Sequence, residues 1–152
     1  MEFKPVIVDL SHHDDVQNWD AVKAFGILGV INKATEGMGV VDHTYAIRQK
    51  PARDRGILYG AYHFMRPGDP VAQADHFLEV TRTAPHPEEL LLALDHEDPH
   101  VSLDNAKKWL QRQEKKRGKG KALGILAAKL GRAVYHVLAK KVAFEEARFW
   151  AS

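Results

Sequence analysis

Asp95-His96-Glu97 closes the apolar run Leu90-Leu91-Leu92-Ala93-Leu94 and leads directly into Asp98-Pro99. On an extended strand, side chains two apart share a face, and at about 3.3 Å per residue the backbones of Asp95 and Glu97 stand roughly 6.6 Å apart. Two carboxylates on one face suit a division of labour between a general acid and a charge stabiliser, the chemistry that cleaves glycosidic bonds. The same residues would also serve to cap the helix that follows. A second acidic strand end favours the chemical reading: Val6-Ile7-Val8 delivers Asp9, followed by Ser11-His12-His13-Asp14-Asp15. In parallel β/α barrels, residues at the C-terminal ends of strands converge on one site. Asp9, Asp95 and Glu97 are therefore expected to meet in one pocket.

The elements that would position them alternate in type over the first 110 or so residues, the pattern of an α/β fold with a parallel sheet. Strands are expected at Pro5–Asp9, Leu28–Lys33, Leu58–Phe64 and Leu90–Glu97. Helices are expected at Trp19–Phe25, with Trp19, Val22 and Phe25 on one stripe, and at Tyr45–Arg55, where Pro51 is a conflict. Two more are expected at Asp69–Thr83, with Ala74, Phe77, Leu78 and Thr81 inward, and at Ser102–Gln113, capped by Ser102 and burying Leu103, Ala106, Trp109 and Leu110. Beyond it lies a basic link, Lys115-Lys116-Arg117-Gly118-Lys119-Gly120-Lys121, and a helical pattern from Leu123 to Ala139. No strand pattern follows. The organisation expected is residues 1–114 as a partial barrel and 115–152 as a basic linker and helical tail.

Composition bounds the rest. A chain of 152 residues can bury one good core, but an eight-stranded barrel typically takes about 250 residues. With no cysteine, a disulfide framework, a thiolate metal site and a cysteine nucleophile are all excluded. The first residues lack the pattern of a signal peptide, and no apolar run reaches the roughly 20 residues of a membrane helix, so a soluble chain with no membrane partner is expected. Localisation stays open. Residues 1–114 hold 12 Lys and Arg against 18 Asp and Glu, a balance of −6, whereas residues 115–152 hold 10 against 2, a balance of +8. Such asymmetry points to segments with different partners or origins.

The other strand ends also carry polar groups: Asn32-Lys33-Ala34-Thr35-Glu36-Gly37 and Tyr62-His63-Phe64. Lys33 and Glu36 read either as rim residues or as substrate contacts, and Tyr62 and His63 either as packing residues with a satisfied polar tip or as contacts in a sugar cleft. A metal hydrolase using His12, His13, His63, His96 and Asp95 is an alternative, weakened because His12 and His13 are adjacent and no two histidines fall two or four apart within one motif. No cofactor or metal is expected.

Val8-Asp9-Leu10-Ser11-His12-His13, Asn32-Lys33-Ala34-Thr35-Glu36-Gly37, Gly60-Ala61-Tyr62-His63-Phe64 and Asp95-His96-Glu97 together resemble, in order and spacing, the successive motifs of the glycoside hydrolase family 25 lysozymes. The resemblance covers residues 3 to 114. It implies an incomplete TIM-like (β/α) barrel with parallel strands and cleavage, with retention, of the β-1,4 bond between N-acetylmuramic acid and N-acetylglucosamine in the glycan strands of peptidoglycan. It also implies that Glu97 is the acid/base, that Asp9 and Asp95 are its acidic partners, and that Tyr62 lines the sugar site. Lys33, Glu36 and His63 are the further substrate-binding candidates.

Two departures stand out. The middle of the acidic triplet is usually apolar in the family and is His96 here. The family also continues past the helix containing Trp109 to further strands, one bearing another catalytic carboxylate, for which this sequence shows no counterpart. Gly124 to His136, continued by Phe144 to Phe149, instead resembles the C-terminal segment of insertion-element transposases. A weakened hydrolase is therefore expected. The alternatives are a non-catalytic peptidoglycan-binding remnant and nucleic-acid binding by the basic tail, the latter disfavoured against a solvated helix face. Self-association through the open barrel edge or the tail is a further expectation.

Overall fold

The computed structural model describes residues 6–117. Along them run β1 (Val6–Leu10), α1 (Trp19–Ala24), β2 (Ile27–Glu36), β3 (Val40–Val41), α2 (His43–Arg53), β4 (Leu58–Phe64), α3 (Pro70–Arg82), β5 (Leu91–Asp95) and α4 (Leu103–Arg117), with a 3₁₀ turn at Pro87–Glu89. β1, β2, β4 and β5 lie side by side in that order, each neighbouring pair parallel. β3 folds back antiparallel on the end of β2. What stands of the expected barrel is thus an α/β sheet with parallel strands, open at β1 and β5 among the described residues. The expected helix at Leu123–Ala139 lies outside those residues.

The sheet has two chemically different faces because strand side chains alternate. Val30, Tyr59, Ala61, Leu92 and Leu94 point to the helices and form the core with Tyr45, Ala52, Ala74, Phe77, Ala106 and Trp109. Fully burying one large side chain of this kind stabilises by about 1.5–3 kcal/mol. The opposite face carries Asp9, Ile31, Lys33, Gly60, Tyr62, Phe64, Ala93 and Asp95, as the strand register shows. Gly60 is required there: a Cβ at that position would stand 2.8 Å from the Leu91 carbonyl oxygen, so any side chain would force β4 and β5 apart.

Local chemistry sets the helix ends. Asn18 caps α1 through Ala21 N–H, Asp42 caps α2 through Thr44 N–H, and Asp69 caps α3 through Val71 and Ala72 N–H, with Pro70 in its first turn. Three sequence expectations change. α2 continues through Pro51, which falls in its last turn, where little helix remains to be interrupted. Phe25 sits at the C-cap of α1 and is 62% exposed, leaving Trp19 and Val22 to pack on the core. α4 continues through Arg117, the last described residue, beyond the end at Gln113 that the sequence suggests. No helix among the described residues is long and apolar enough to cross a membrane.

Candidate active site

Asp9 lies near the C-terminal end of β1 and Asp95 is the last residue of β5, so the parallel sheet presents both at the same end. Glu97 corrects the sequence expectation. β5 stops at Asp95, and Glu97 stands two residues later in the connecting loop, exposed to solvent. The strand ends there because the chain turns: Asp98 accepts a hydrogen bond from His100 N–H at 2.9 Å, Val101 N–H donates to the Asp98 carbonyl at 3.1 Å, and the His96 ring Nε2 bonds the Val101 carbonyl at 3.0 Å. Glu97 is thus presented by a turn rather than by pleat alternation.

The carboxylates nevertheless act on one another. Burial pushes the Asp95 carboxyl up to about 6, helped by the negative charges of Glu97 and then Asp9, with Lys33 opposing. Like charges in a half-buried site disfavour ionisation, so the group holds strongly to its proton. Tyr62, on the same face, has its phenol raised first by burial and then by Asp95, Asp9, Asp42 and Asp14. Tyr62 therefore stands among the carboxylates at the strand ends.

A line of ion pairs borders these strand ends. Lys33, only 5% exposed, places Nζ 2.8 Å from Glu36 Oε2. Glu36 Oε1 accepts from Arg66 Nε at 2.8 Å, and Arg66 also reaches Asp98 Oδ2 at 3.2 Å. Lys33 and Glu36, expected as substrate contacts, are thus engaged with each other and with Arg66. Sequence reasoning missed Arg66 and Asp98, whose only signal was their position just after the ends of β4 and β5.

His63 corrects a second expectation. It pairs with Leu94, next to Asp95 in the register, and so points to the opposite face. There it is fully buried, stacked on Trp109 with ring centroids 5.7 Å apart and bonded to Thr35 at 2.7 Å and Gln73 at 3.1 Å. Burial holds its imidazole down at about 4. It is a core residue, unable to reach a sugar or to join Asp95 around a metal ion.

Asp42, a buried group that sequence reasoning also missed, ties the loop after β1 to α2. It accepts from Thr44 N–H and Oγ1 at 2.9 and 2.6 Å, from His12 N–H at 2.9 Å, and pairs with His12 Nδ1 at 2.9 Å. Burial alone would raise its carboxyl, but the bonds from Thr44 and His12 outweigh it and hold it at about 2. The N-cap position before His43-Thr44 was its sequence signal. Arg48 completes this support, donating to the Ser11 carbonyl at 2.9 Å and to Asn32 Oδ1 at 3.1 Å. The groove between α2 and α3, lined by Tyr45, Gln49, His76 and Val80, holds none of Asp9, Asp95 and Glu97.

The arrangement supplies a carboxyl that stays protonated to about pH 6, an exposed glutamate beside it, a third carboxylate and an aromatic wall. Those are the parts needed for acid/base cleavage of a glycosidic bond. Comparison with known proteins points the same way. The family model for glycosyl hydrolases family 25 matches residues 8–150. Lysozyme M1 of Streptomyces globisporus is 40% identical over 72 residues, covering 46% of this chain and 24% of that protein. The autolytic lysozyme of Clostridium acetobutylicum is 36% identical over 73 residues, covering 48% and 22% respectively. A family GH25 lysozyme from Aspergillus fumigatus has the same fold, with a TM-score of 0.61 at 28% identity over 71% of this chain and 58% of that one. The chain thus matches about a quarter of the length of these curated relatives.

Proposed function

The chain belongs to glycosyl hydrolases family 25, and we propose from this that its acidic cleft hydrolyses the β-1,4 bond between N-acetylmuramic acid and N-acetylglucosamine in peptidoglycan. Glu97, the acid that the family resemblance implies, protonates the glycosidic oxygen as the bond to the anomeric carbon breaks, beside the raised carboxyl of Asp95. Asp95, Asp9 or the substrate's own acetamido group stabilises the positive charge that develops there. Water then attacks with Glu97 as base, restoring its proton and retaining configuration. Tyr62 lines the sugar site, with the Lys33–Glu36 pair at its edge.

The observation that carries this reading is the family match over residues 8–150, supported by Asp9, Tyr62 and Asp95 on one face of the sheet. Proton transfer by a positioned carboxyl typically contributes about 10² to 10⁴-fold in rate. The test is clearing of a bacterial cell-wall suspension by the full chain, beside Glu97→Gln. Clearing that falls by at least two powers of ten in the variant supports the proposal. Binding of cell walls without clearing by either protein overturns it in favour of a non-catalytic sugar-binding module.

A further inference from the structure

Arg66 has no place in the chemistry above, yet its half-exposed guanidinium is tied to two carboxylates at the strand ends. Its backbone is fixed from the core side: Arg66 N–H donates to Gln73 Oε1 at 3.0 Å, and Gln73 Nε2 donates to the Arg66 carbonyl at 2.8 Å, with Gln73 itself fully buried. Its guanidinium lies over the Phe64 ring at 4.8 Å. From that platform it reaches two different elements, Glu36 at the end of β2 and Asp98 in the turn after β5. A planar guanidinium with several fixed donors can span two carboxylates in this way, whereas a lysine ammonium is a single point charge.

The turn that Arg66 grips is the one that carries Glu97. His96 is tied to Val101 on one side of Glu97, and Asp98 is tied to His100 and to Arg66 on the other. Of these ties, the bonds of His96 and His100 are internal to the turn and would travel with it. Among the described residues, Arg66–Asp98 is the side-chain bond that joins the turn to the end of the sheet, while Val101 anchors its far side in the core.

We propose that Arg66 is a positioning residue: by bridging Glu36 and Asp98 it holds the turn after β5, and with it Glu97, at the correct height over the cleft. This rests on Glu97 being the acid, as argued above. Misplacement of a catalytic group by about 1 Å costs roughly 10²-fold, so the effect belongs in kcat. A residue that instead contacted sugar directly would show itself in KM.

The experiment compares wild type, Arg66→Met, Arg66→Lys, Asp98→Asn and the Arg66→Met/Asp98→Asn double variant, with steady-state kinetics on solubilised glycan strands and hydrogen exchange of residues 96–101. Arg66→Met is expected to lower kcat about 10 to 100-fold with KM within about twofold of wild type, and to speed exchange in that turn but not in β2 or β4. Arg66→Lys is expected to fall between. The double variant is expected to be no worse than Arg66→Met, because Arg66→Met already removes the Arg66–Asp98 link that Asp98→Asn weakens. A raised KM at unchanged kcat, additive losses, or unchanged exchange at residues 96–101 each overturns the proposal. If the wild type cleaves nothing, the hydrolase reading fails, while the exchange comparison still decides whether Arg66 holds the turn.

Discussion

At Asp95 the site and the fold pull against each other. Its carboxyl is pushed from 3.8 to about 6 by burial and by the charges of Glu97 and Asp9, so the folded protein binds that proton more tightly than the unfolded chain. A shift of this kind favours the folded state at low pH and is lost as pH rises from the unfolded value through 6. At pH 7.5 the ionised group costs about 1–3 kcal/mol of stability, by the equivalence of roughly 1.4 kcal/mol per pKa unit. Asp95→Asn is therefore expected to raise the unfolding free energy by about that much at pH 7.5 and to match wild type at pH 3, while cleavage falls. Denaturant titrations at the two pH values check this, and equal stability at pH 7.5 would count against it. The sequence put Asp9, Asp95 and Glu97 forward together because residue type and closeness to an apolar run are local facts. The upward push on Asp95 was not legible, since that depends on burial and on charges from other elements.

At the scale of elements, the helix-side core decides whether those strand ends hold their places. Trp109 of α4, 1% exposed, stacks on His63 and packs against Phe77, while Arg112 pairs with Asp75 at 2.7 Å and Gln113 donates to the Ala74 carbonyl at 2.9 Å. Trp109→Ala is expected to destabilise by about 3–5 kcal/mol and Trp109→Phe by clearly less, measured by thermal or urea unfolding; a loss below about 1 kcal/mol for the alanine variant would show α4 to be peripheral. Periodicity revealed the inward residues of α3, because Ala74, Phe77, Leu78 and Thr81 repeat at helical spacing and all are buried. It missed β3, whose Val40–Val41 pair is too short to show alternation. It misplaced His63, where the motif suggested a sugar contact but strand parity, readable from Tyr62 on the cleft face, puts the imidazole among Phe77 and Trp109. The end of β5 was missed because turn formation by Asp98, His100 and Val101 overrides an apolar run that otherwise reads as continuing strand.

At the scale of the whole molecule, three strongly shifted groups among the described residues bear on the pH response. His63, buried and held at about 4, favours the folded state above its unfolded value near 6.5 and loses that contribution as pH falls. Asp95 has the opposite slope over much of the same range. Asp42, held at about 2, contributes stability above 3.8 that is lost as pH falls toward 2. Unfolding free energy is thus expected to change little between about pH 4 and 6 and to drop below 4; in Asp95→Asn the compensation is removed, and stability should climb from pH 4 to 6.5. A flat profile for that variant would contradict the assignment of opposing slopes. The bond proposed to be cut is reported directly by the identity of the newly formed reducing sugar. Peptidoglycan digested by the full chain, reduced with borohydride and analysed by mass spectrometry, is expected to yield reduced N-acetylmuramic acid ends, and none above background with Glu97→Gln. New reducing ends of N-acetylglucosamine, or muramic ends formed equally by the variant, would contradict it.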